Sequence, residues 1–349
     1  MDLKQFGAKK KTSTTHYLIE FISSILYNWD LNPSYAVLVT LLDFSGAFNR
    51  ICHNLIISRL AEMSVPNWLL KIVIGFLKNR KLVVKYRGVF SKMENMPGGG
   101  PAGTILGMIL FIVLVNPINF TNTFVWGQKI TQKISQRQPI ETLHLKYFDD
   151  LSLLEAINLK KDLRVDTRPK EYPLNFHSRT GQMLISENVK TISKLNEIWQ
   201  FSEENEMKLN SLKSKILIFN KSLIYDFMPE ISIPGQNQLE VVEEYKILGL
   251  TITTDLKWNS HVKHICKRGY SNLWMLRRLK NLGASAKVLL DLYFKHVRSI
   301  LEYASPAWGS LLTSENCEEI ERVQKSAFYI IFGPNSYEKT LRQAQLSTD

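Results

Sequence analysis

Apolar runs and helical periodicity alternate along the first part of the chain. Residues 14–28 follow an amphipathic helical pattern after a Thr/Ser-rich start. The run Ala36–Leu42 is apolar and partly β-branched, which predicts a buried strand that ends at Asp43. Helical pattern returns over residues 52–64 and again over 66–78, where a proline at the first position suits a helix start. The order helix, strand, helix, helix indicates a mixed α and β fold.

A hairpin pattern and a glycine-rich segment follow. Lys81–Tyr86 and Val89–Met93 predict paired strands around Gly88. The glycine-rich sequence MPGGGPAGTILG then leads into an apolar helix over residues 104–118. The pattern therefore predicts a loop that approaches its neighbours closely and a buried helix behind it.

A second strand-like run also ends in acidic residues. Leu143–Phe148 predicts a short strand that ends at Asp149 and Asp150. The polar residues 121–142 before it predict a hairpin or an excursion. The charged stretch 158–190, which contains two Xaa-Pro pairs, predicts a long loop.

The pattern changes character near residue 256. A helix is predicted over 191–207, and strands are predicted at Lys215–Phe219 and Tyr245–Ile252. From Trp258 to Phe332 the pattern is mostly helical. We therefore predict a mixed domain over residues 1–255 and a helical domain over residues 256–349.

Composition narrows the class of protein. The chain has 349 residues, and its 44 Lys and Arg exceed its 32 Asp and Glu, which gives a net charge of +12. This excess indicates a polyanionic partner, with nucleic acid favoured over an anionic membrane surface. Its 3 scattered cysteines exclude a disulfide framework and a CxxC zinc site. No secretory leader is recognisable, and the run Ile105–Val115 is too short to span a bilayer, so we expect a soluble intracellular protein without a membrane partner.

The three acids at strand ends suggest a cation site. Asp43, Asp149 and Asp150 would repel one another if they met, unless a cation lay between them. Oxygen ligands suit Mg²⁺ or Mn²⁺, and two such ions about 4 Å apart serve in-line phosphoryl displacement. Two ordinary interpretations remain open, because an Asp pair often forms a solvated turn and Asp43 could cap a helix.

Five segments resemble, in order, the reverse transcriptases of non-LTR retrotransposons. AVLVTLLDFSGAFNRICHNLIISRL resembles their first catalytic-aspartate motif, MPGGGPAGTILGMILFIVLVN their glycine-rich motif, and LKYFDDLSLLEA their paired-aspartate motif. NEMKLNSLKSKILIFNK and EEYKILGLTITTDLKW are similar to the two motifs that follow. The resemblance implies an α+β fold: a right-hand polymerase palm, in which helices pack on an antiparallel sheet, and then a helical thumb. Because the chain starts just ahead of the first motif, we expect the fingers to be mostly absent and the N-terminus of the family domain to be incomplete.

The resemblance also implies roles for individual residues. Asp43, Asp149 and Asp150 would be catalytic and, with the carbonyl of Phe44, would bind two Mg²⁺ (or Mn²⁺) ions. Lys213 would be a general acid for the leaving pyrophosphate. A further set would contact the incoming nucleotide: Phe48 as a steric gate against ribose, Gly98, Gly99, Gly100, Pro101, Ala102 and Gly103 as the floor, and Tyr147 and Phe148 as supports of the acids.

The predicted thumb carries cations with aromatic residues between them. On a helix they would form a basic face that follows a nucleic-acid backbone, although a solvated helix face with core aromatics is an equally simple interpretation. We expect the tryptophans in this region to lie in the core. The cations predicted to bind nucleic acid are Lys263, Lys267, Arg268, Arg277, Arg278 and Lys280.

The leading hypothesis is an RNA-directed DNA polymerase that adds deoxynucleoside triphosphates to a DNA primer on an RNA template. It would act in the nucleus, where a mobile element reaches chromosomal DNA, with the cytoplasm as the alternative. A second hypothesis is a catalytically inactive, nucleic-acid-binding remnant, because the family's Pro-Gln-Gly is replaced here by Pro101-Ala102-Gly103. A third, a protein-interaction module, predicts neither activity nor salt-sensitive RNA binding.

Overall fold

The chain divides into two compact units, Met1–Val242 and Glu243–Asp349. This computed structural model describes residues 4–96, 98–100, 103–118, 139, 142–148, 150–158, 163–165, 182–184, 190–221 and 231–334. Its mixed α+β content, with a largely antiparallel sheet, confirms the coarse fold class. The predicted boundary at 255/256 was placed from composition, whereas the packed units divide at 242/243 because the hairpin over 244–253 packs with the helical part. The assignment of the two parts as palm and thumb stays a prediction.

The first unit combines helices with one main sheet. Its helices are α1 (Thr14–Leu31), α2 (His53–Glu62), α3 (Asn67–Leu77), α4 (Ile105–Val115) and α5 (Lys190–Glu204). Its strands are β1 (Tyr35–Leu42), β2 (Lys81–Leu82), β3 (Lys85–Tyr86), β4 (Val89–Phe90), β5 (Glu94–Asn95), β6 (Thr142–Tyr147), β7 (Asp150–Asn158), β8 (Leu163–Val165), β9 (Gln182–Leu184), β10 (Lys215–Asn220) and β11 (Glu240–Val241).

Strand β1 lies at the centre of the main sheet, whose described strands follow the order β11-β10-β1-β7-β6. It pairs antiparallel with both β7 and β10, and only β11 runs parallel to its neighbour. Helix α1 covers one face, where Phe21 packs edge-on against Phe219. On the other face Leu38 and Leu42 join a core that includes Phe111 of α4. Because both faces are covered, β1 is apolar along nearly its whole length.

The structure differs from the predicted elements in four places. The prediction ends a strand at Asp149-Asp150, but Asp150–Asn158 continues as strand β7, because its apolar residues are buried against both layers. The prediction of a loop over 158–190 is wrong where β8 and β9 pair antiparallel. The predicted strand Tyr245–Ile252 is instead two strands that pair as a hairpin, Glu244–Ile247 and Leu250–Thr253. The predicted strand pair around Gly88 is divided into the four short strands β2 to β5.

The predicted excursion over 121–142 lies outside the described residues except for 139 and 142. The other predicted helices and strands are confirmed to within a few residues at their ends.

The N-terminal residues extend the sheet beside β6. The N–H of Phe6 donates to the carbonyl of Lys146 at 2.9 Å, and the N–H of Lys146 donates to the carbonyl of Lys4 at 2.9 Å. The Lys4 ammonium forms a buried salt bridge with Glu20 of α1. Burial is the main cause that raises the pKa of the Glu20 carboxyl above its ordinary value, and the charge of Lys4 opposes it. The first residues are thus fixed to the sheet and to α1.

The second unit is a hairpin followed by helices, as the pattern after Trp258 predicts. Among the described residues of the chain, no helix is both long and apolar enough to cross a membrane. The hairpin strands are β12 (Glu244–Ile247) and β13 (Leu250–Thr253). The helices are α6 (Asn259–Asn281), α7 (Ala286–Tyr293), which continues through a π-helical turn (Phe294–Arg298) into α8 (Ser299–Leu301), then α9 (Ser305–Trp308) and α10 (Ser314–Phe332).

A neutral histidine lies in the core of this second unit. The ring centroid of His261 is 4.9 Å from that of Trp308 and 6.0 Å from that of Trp258, and all three residues are buried. The N–H of Thr251 donates to Nδ1 of His261 at 3.4 Å, which requires an unprotonated acceptor. Burial is the main cause that lowers the pKa of His261 to about 4.

We expect this histidine to make the second unit less stable in mild acid. An unfolded histidine titrates near pH 6.5, so below that pH the unfolded chain binds a proton that the folded core excludes. The stabilisation is complete above about pH 6.5 and is lost as the pH falls through 4, by about 3 kcal/mol in total. Urea unfolding at a series of pH values, followed by tryptophan fluorescence, measures it. His261→Gln should flatten the profile, whereas exposed His264→Gln should not; equal profiles for all three proteins would contradict the assignment.

Candidate functional site

The end of β1 and the start of β7 meet at one edge of the main sheet. The antiparallel register of the two strands ends at the pair Leu42 and Leu151, and Asp43 and Asp150 are the next residue on each strand. Residues opposed in an antiparallel pair direct their side chains to the same face, with Cα atoms roughly 4.5 to 5.5 Å apart. The structure therefore places two of the three predicted acids one residue beyond a paired position, and their joint binding of a cation stays a prediction. Asp149 lies outside the described residues.

The backbone at Asp43 is held by the loop that precedes β10. Its N–H donates to Oγ of Ser214 at 3.2 Å, and its carbonyl accepts from the N–H of Asn210 at 2.9 Å. The Ser214 hydroxyl in turn donates to the carbonyl of Asn210 at 2.7 Å. One residue further on, Phe44 forms an antiparallel bridge with Leu209. Asp43 is therefore fixed at a strand end and does not cap a helix, so the helix-cap interpretation is wrong.

Lys213 lies beside the first acid. Its Nζ is 3.7 Å from Oδ2 of Asp43, in an ion pair whose lysine side chain is mostly exposed. The loop over 209–214 thus fixes the backbone of Asp43 and also carries a cation to its carboxylate. The structure brings the two predicted residues together, and the general-acid role of Lys213 stays a prediction.

The turn between β6 and β7 has an unusual backbone. The register pairs Tyr147 with Asp150, so only two residues connect the strands. Phe148, the first of them, has a φ of +57°, which is rare for a bulky residue and costs on the order of 1 to 3 kcal/mol. Its N–H donates to Oε1 of Gln5 at 3.2 Å, and the same oxygen accepts from the N–H of Gly7 at 2.9 Å. The N-terminal segment therefore supports this turn.

Gln5 and Gly7 are site residues that the sequence analysis missed. A Cβ added at Gly7 would lie 2.8 Å from the Phe148 ring, so only glycine allows that close approach. Gln5 is almost fully buried. Both residues lie in the segment QFGAKKKTSTTHYLIEF, which resembles the family segment ahead of the first aspartate, and that resemblance was the one signal available for them.

Aromatic residues pack around the first positions of β7. The Tyr17 hydroxyl hydrogen-bonds to the hydroxyl of Ser152, and its ring meets that of Tyr147 edge-on at 6.4 Å. Burial is the main cause that raises the pKa of Tyr17 well above its ordinary value, and the charge of Asp150 adds to it. The Tyr147 and Phe148 rings are 5.3 Å apart. The buried Tyr17 hydroxyl therefore stays neutral, and the packed rings support the start of β7 beside Asp150.

The glycine-rich loop packs on the short 3₁₀ helix over 47–50 that follows Asp43. The N–H of Gly100 donates to the carbonyl of Phe48 at 2.6 Å, and the N–H of Gly99 donates to the carbonyl of Ile51 at 2.8 Å. A Cβ at Gly100 would lie 2.6 Å from Cδ1 of Ile51. Close packing against the Ile51 side chain is therefore one reason for glycine at position 100, whereas a floor for the nucleotide stays a prediction. Pro101 and Ala102 lie outside the described residues. The predicted nucleotide-binding roles of Gly98 and Gly103 stay predictions.

Phe48 is half-buried and stacks on helix α4. Its ring centroid is 4.5 Å from that of Phe111, and the ring planes are 24° apart. This stacking fixes the orientation of the ring, which a steric gate would need and which core packing also explains. The structure thus keeps both interpretations of Phe48 open.

The predicted basic face of α6 is exposed for the most part. Lys280 is also exposed, but its Nζ donates to the carbonyls of Ile330 and Ile331 near the end of α10. The expectation that the tryptophans lie in the core is confirmed for Trp258 and wrong for Trp274, which is 58% exposed. The exposed cations are Lys263, Lys267, Arg268, Arg277, Arg278 and Lys280.

The described part of the site supplies oxygen donors for a cation but not a full ligand set. In that part of the chain, no group of three or more His, Cys, Asp and Glu side chains is arranged to hold a metal ion. Asp43 and Asp150 supply two carboxylates on one face, and Phe44 follows directly. Carboxylate and carbonyl oxygens are suitable ligands for a hard divalent cation such as Mg²⁺. A further ligand such as Asp149 would be needed to complete the site.

Among solved structures, the chain matches two telomerases from Candida species at TM-scores below 0.5. The apo telomerase from Candida tropicalis superposes with a TM-score of 0.43 at 12% identity, over 99% of this chain and 51% of that one. The telomerase from Candida albicans in complex with a fragment of telomeric RNA gives a TM-score of 0.40 at 11% identity, over 98% of this chain and 53% of that one.

Comparison with curated protein sequences relates the chain to known proteins. No protein-family model matches the chain. It is 24% identical over 331 residues to a probable RNA-directed DNA polymerase from transposon BS of Drosophila melanogaster, which is 94% of this chain and 32% of the relative. It is 22% identical over 340 residues to the RNA-directed DNA polymerase from the mobile element jockey of the same organism, 96% of this chain and 32% of the relative. The chain therefore spans about a third of the length of these curated relatives, and the resemblance found in the motifs is confirmed: nearly the whole chain is similar to RNA-directed DNA polymerases of mobile elements.

Proposed function

We propose that the chain is the polymerase part of an RNA-directed DNA polymerase of a retrotransposon. It adds deoxynucleotides to the 3′-hydroxyl of a primer on an RNA template, with a palm over residues 1–255 and a thumb over 256–349. The observation that supports the proposal is the antiparallel register of β1 and β7, which ends at Leu42 and Leu151, one residue from Asp43 and Asp150 and beside the turn supported by Gln5. The names of the curated relatives support the same activity.

The proposal includes two Mg²⁺ (or Mn²⁺) ions. Asp43, Asp149, Asp150 and the carbonyl of Phe44 would hold them, because carboxylate and carbonyl oxygens are the donors that these cations prefer. When bound, the ions would acidify the primer hydroxyl and neutralise the charge that develops on the phosphates.

The protein's own groups would position the reactants. Lys213, already 3.7 Å from the Asp43 carboxylate, would donate a proton to the leaving pyrophosphate. The loop over 98–103 would hold the incoming nucleotide against the template base. The strained turn at Phe148 would fix the paired acids, and such preorganisation is where much of the rate enhancement in phosphoryl transfer arises.

Phe48 gives the proposal a prediction about sugar selection. If its ring lies under the sugar of the bound nucleotide, Phe48→Ala should raise the kcat/KM ratio of ribonucleotides to deoxynucleotides by about tenfold or more, since roughly 1.4 kcal/mol of steric discrimination is removed. Single-nucleotide incorporation measures this ratio, which a general loss of stability leaves unchanged. Phe76→Ala, which changes a half-buried phenylalanine of α3, is the control. An unchanged ratio in Phe48→Ala would assign the ring to core packing alone.

Primer extension by the purified chain tests the proposed function directly. With an RNA template, a DNA primer, deoxynucleotides and Mg²⁺, we expect extension that a chelator abolishes. The second candidate, an inactive nucleic-acid-binding remnant, is favoured by Ala102 in place of the family's glutamine. It predicts salt-sensitive RNA binding without extension, and the protein-interaction module predicts neither.

A further inference from the structure

A fully exposed hairpin lies between α3 and the glycine-rich loop. We call residues 80–95 the basic arm. Every residue from 81 to 95 is exposed. Its strands pair only within the hairpin, β2 with β5 and β3 with β4. Because the arm contributes no buried residue to the core beyond position 80, its composition is not explained by folding.

The arm carries a concentrated positive charge. Residues 80–95 contain five basic residues and one acidic residue, Glu94. Across the described residues, none of these five cations forms a salt bridge with an acidic side chain. Their charge is therefore available to an anionic partner, whereas a second copy of the arm would be repelled. The cations are Arg80, Lys81, Lys85, Arg87 and Lys92.

Exposed aromatic rings lie between these cations. Tyr86 is 68% exposed and Phe90 is 63% exposed. The Lys85 ammonium is 5.1 Å from the centroid of the Phe90 ring, and the Arg87 guanidinium is 5.4 Å from that of Tyr86. Cations beside exposed ring faces form the surface on which unpaired bases stack while phosphates are neutralised.

At the tip of the arm, Arg87 occupies a turn position whose backbone conformation does not favour arginine. Tyr86 pairs with Val89, and the two residues between them have positive φ, +47° at Arg87 and +85° at Gly88. This is the backbone of a type I′ turn, in which asparagine suits the first position. A positive φ is strained for arginine, whereas glycine adopts it freely and asparagine adopts it more readily than arginine. The charge at the tip is thus present at a cost to local stability.

We propose that the basic arm binds single-stranded RNA, through its cations to the phosphates and through Tyr86 and Phe90 to unpaired bases. The identification of this strand as the template rests on the proposed function. The arm is followed in the chain by the glycine-rich loop, which packs on the 3₁₀ helix over 47–50.

The experiment measures RNA affinity in the absence of chemistry. A labelled, unstructured uridine oligonucleotide of about 20 nucleotides is titrated with the whole chain, with a chelator and without nucleotides, at several salt concentrations. The arm variant is Lys85→Gln/Arg87→Asn/Lys92→Gln. The control variant is Lys10→Gln/Lys11→Asn/Lys221→Gln, which removes the same charge from exposed positions, and Lys11 has a φ of +64° comparable to that of Arg87.

We expect the arm variant to raise the Kd about tenfold or more and to reduce the slope of log K against log salt by about 2, since each phosphate contact contributes about 0.7 for a single strand. The control variant should change the Kd by less than about threefold. Tyr86→Ala/Phe90→Ala should weaken binding at all salt concentrations with little change in slope, because stacking is not ionic.

A single substitution separates binding from folding. Arg87→Asn should leave the melting temperature unchanged or raise it, and should still weaken RNA binding. Equal affinities for the wild type, the arm variants and the control would overturn the proposal, as would arm-dependent self-association in sedimentation. Arm-dependent RNA binding without primer extension would instead contradict the proposed polymerase function and leave the arm's role intact.

Discussion

Replacing Asp43 with asparagine is expected to lower the rate of primer extension by about a thousandfold or more. The substitution removes a negative charge that is proposed to hold the metal ions at the reacting phosphate. The amide keeps the size of the side chain. The backbone bonds of residue 43 to Ser214 and Asn210 do not involve the carboxylate, so folding should be preserved. Initial rates of extension at saturating primer–template and Mg²⁺ give the magnitude.

Two comparisons make this result specific. Asp150→Asn and Asp149→Asn should produce losses of similar size, because the three acids are proposed to act as one unit. Asp30→Asn, an exposed acid at the end of α1, removes the same charge and should leave the rate unchanged. If Asp43→Asn retained more than about a tenth of the wild-type rate, the assignment of this edge of the sheet as the active site would be wrong.

Loss of the buried salt bridge should cause the largest change in stability. Lys4→Met leaves the Glu20 carboxylate buried beside an apolar side chain, and breaking a buried pair in this way costs about 3 to 5 kcal/mol. Glu20→Leu should have a comparable effect through the unpaired ammonium. The double variant Lys4→Met/Glu20→Leu removes both charges and should recover most of the loss, since apolar residues of similar volume often replace a buried pair without a penalty.

Urea unfolding followed by circular dichroism measures this cycle, with the transition of the first unit analysed separately from that of the second. Because Lys4 precedes Gln5, which binds the N–H of Phe148, the single variants should also lower primer extension at temperatures where the sheet remains folded. Additive losses in the double variant would show that the pair contributes little, and that the N-terminal segment is held by its backbone bonds alone.

The strands that carry the predicted acids were largely predictable, because local sequence patterns determine strands. Ala36–Leu42 is apolar at every position but Thr40, which indicates a strand buried on both faces, and its end fixes where Asp43 lies. LKYFDDLSLLEA placed two acids at the end of another strand. Neither pattern contains information about pairing, so only the family resemblance predicted that these acids meet, and the structure adds a register that ends one residue from each of them.

The supports of the site were not predictable, because they depend on contacts between distant segments. Gln5 looks like any polar residue near a chain end until its carbonyl oxygen is found on the N–H of Phe148. Gly100 was predicted for its backbone freedom, yet the steric limit comes from the side chain of Ile51. Trp274 has the helical spacing of a core residue, and only packing shows that its ring faces solvent.

The position of β1 at the centre of the sheet has a consequence for synthesis on the ribosome. Both hydrogen-bonding partners of this apolar strand are encoded far downstream, since β7 begins at Asp150 and β10 at Lys215. A nascent chain must therefore keep an aggregation-prone segment unpaired for many seconds, at roughly 5 to 20 residues translated per second. Recombinant production should accordingly benefit from chaperones that shield extended apolar segments.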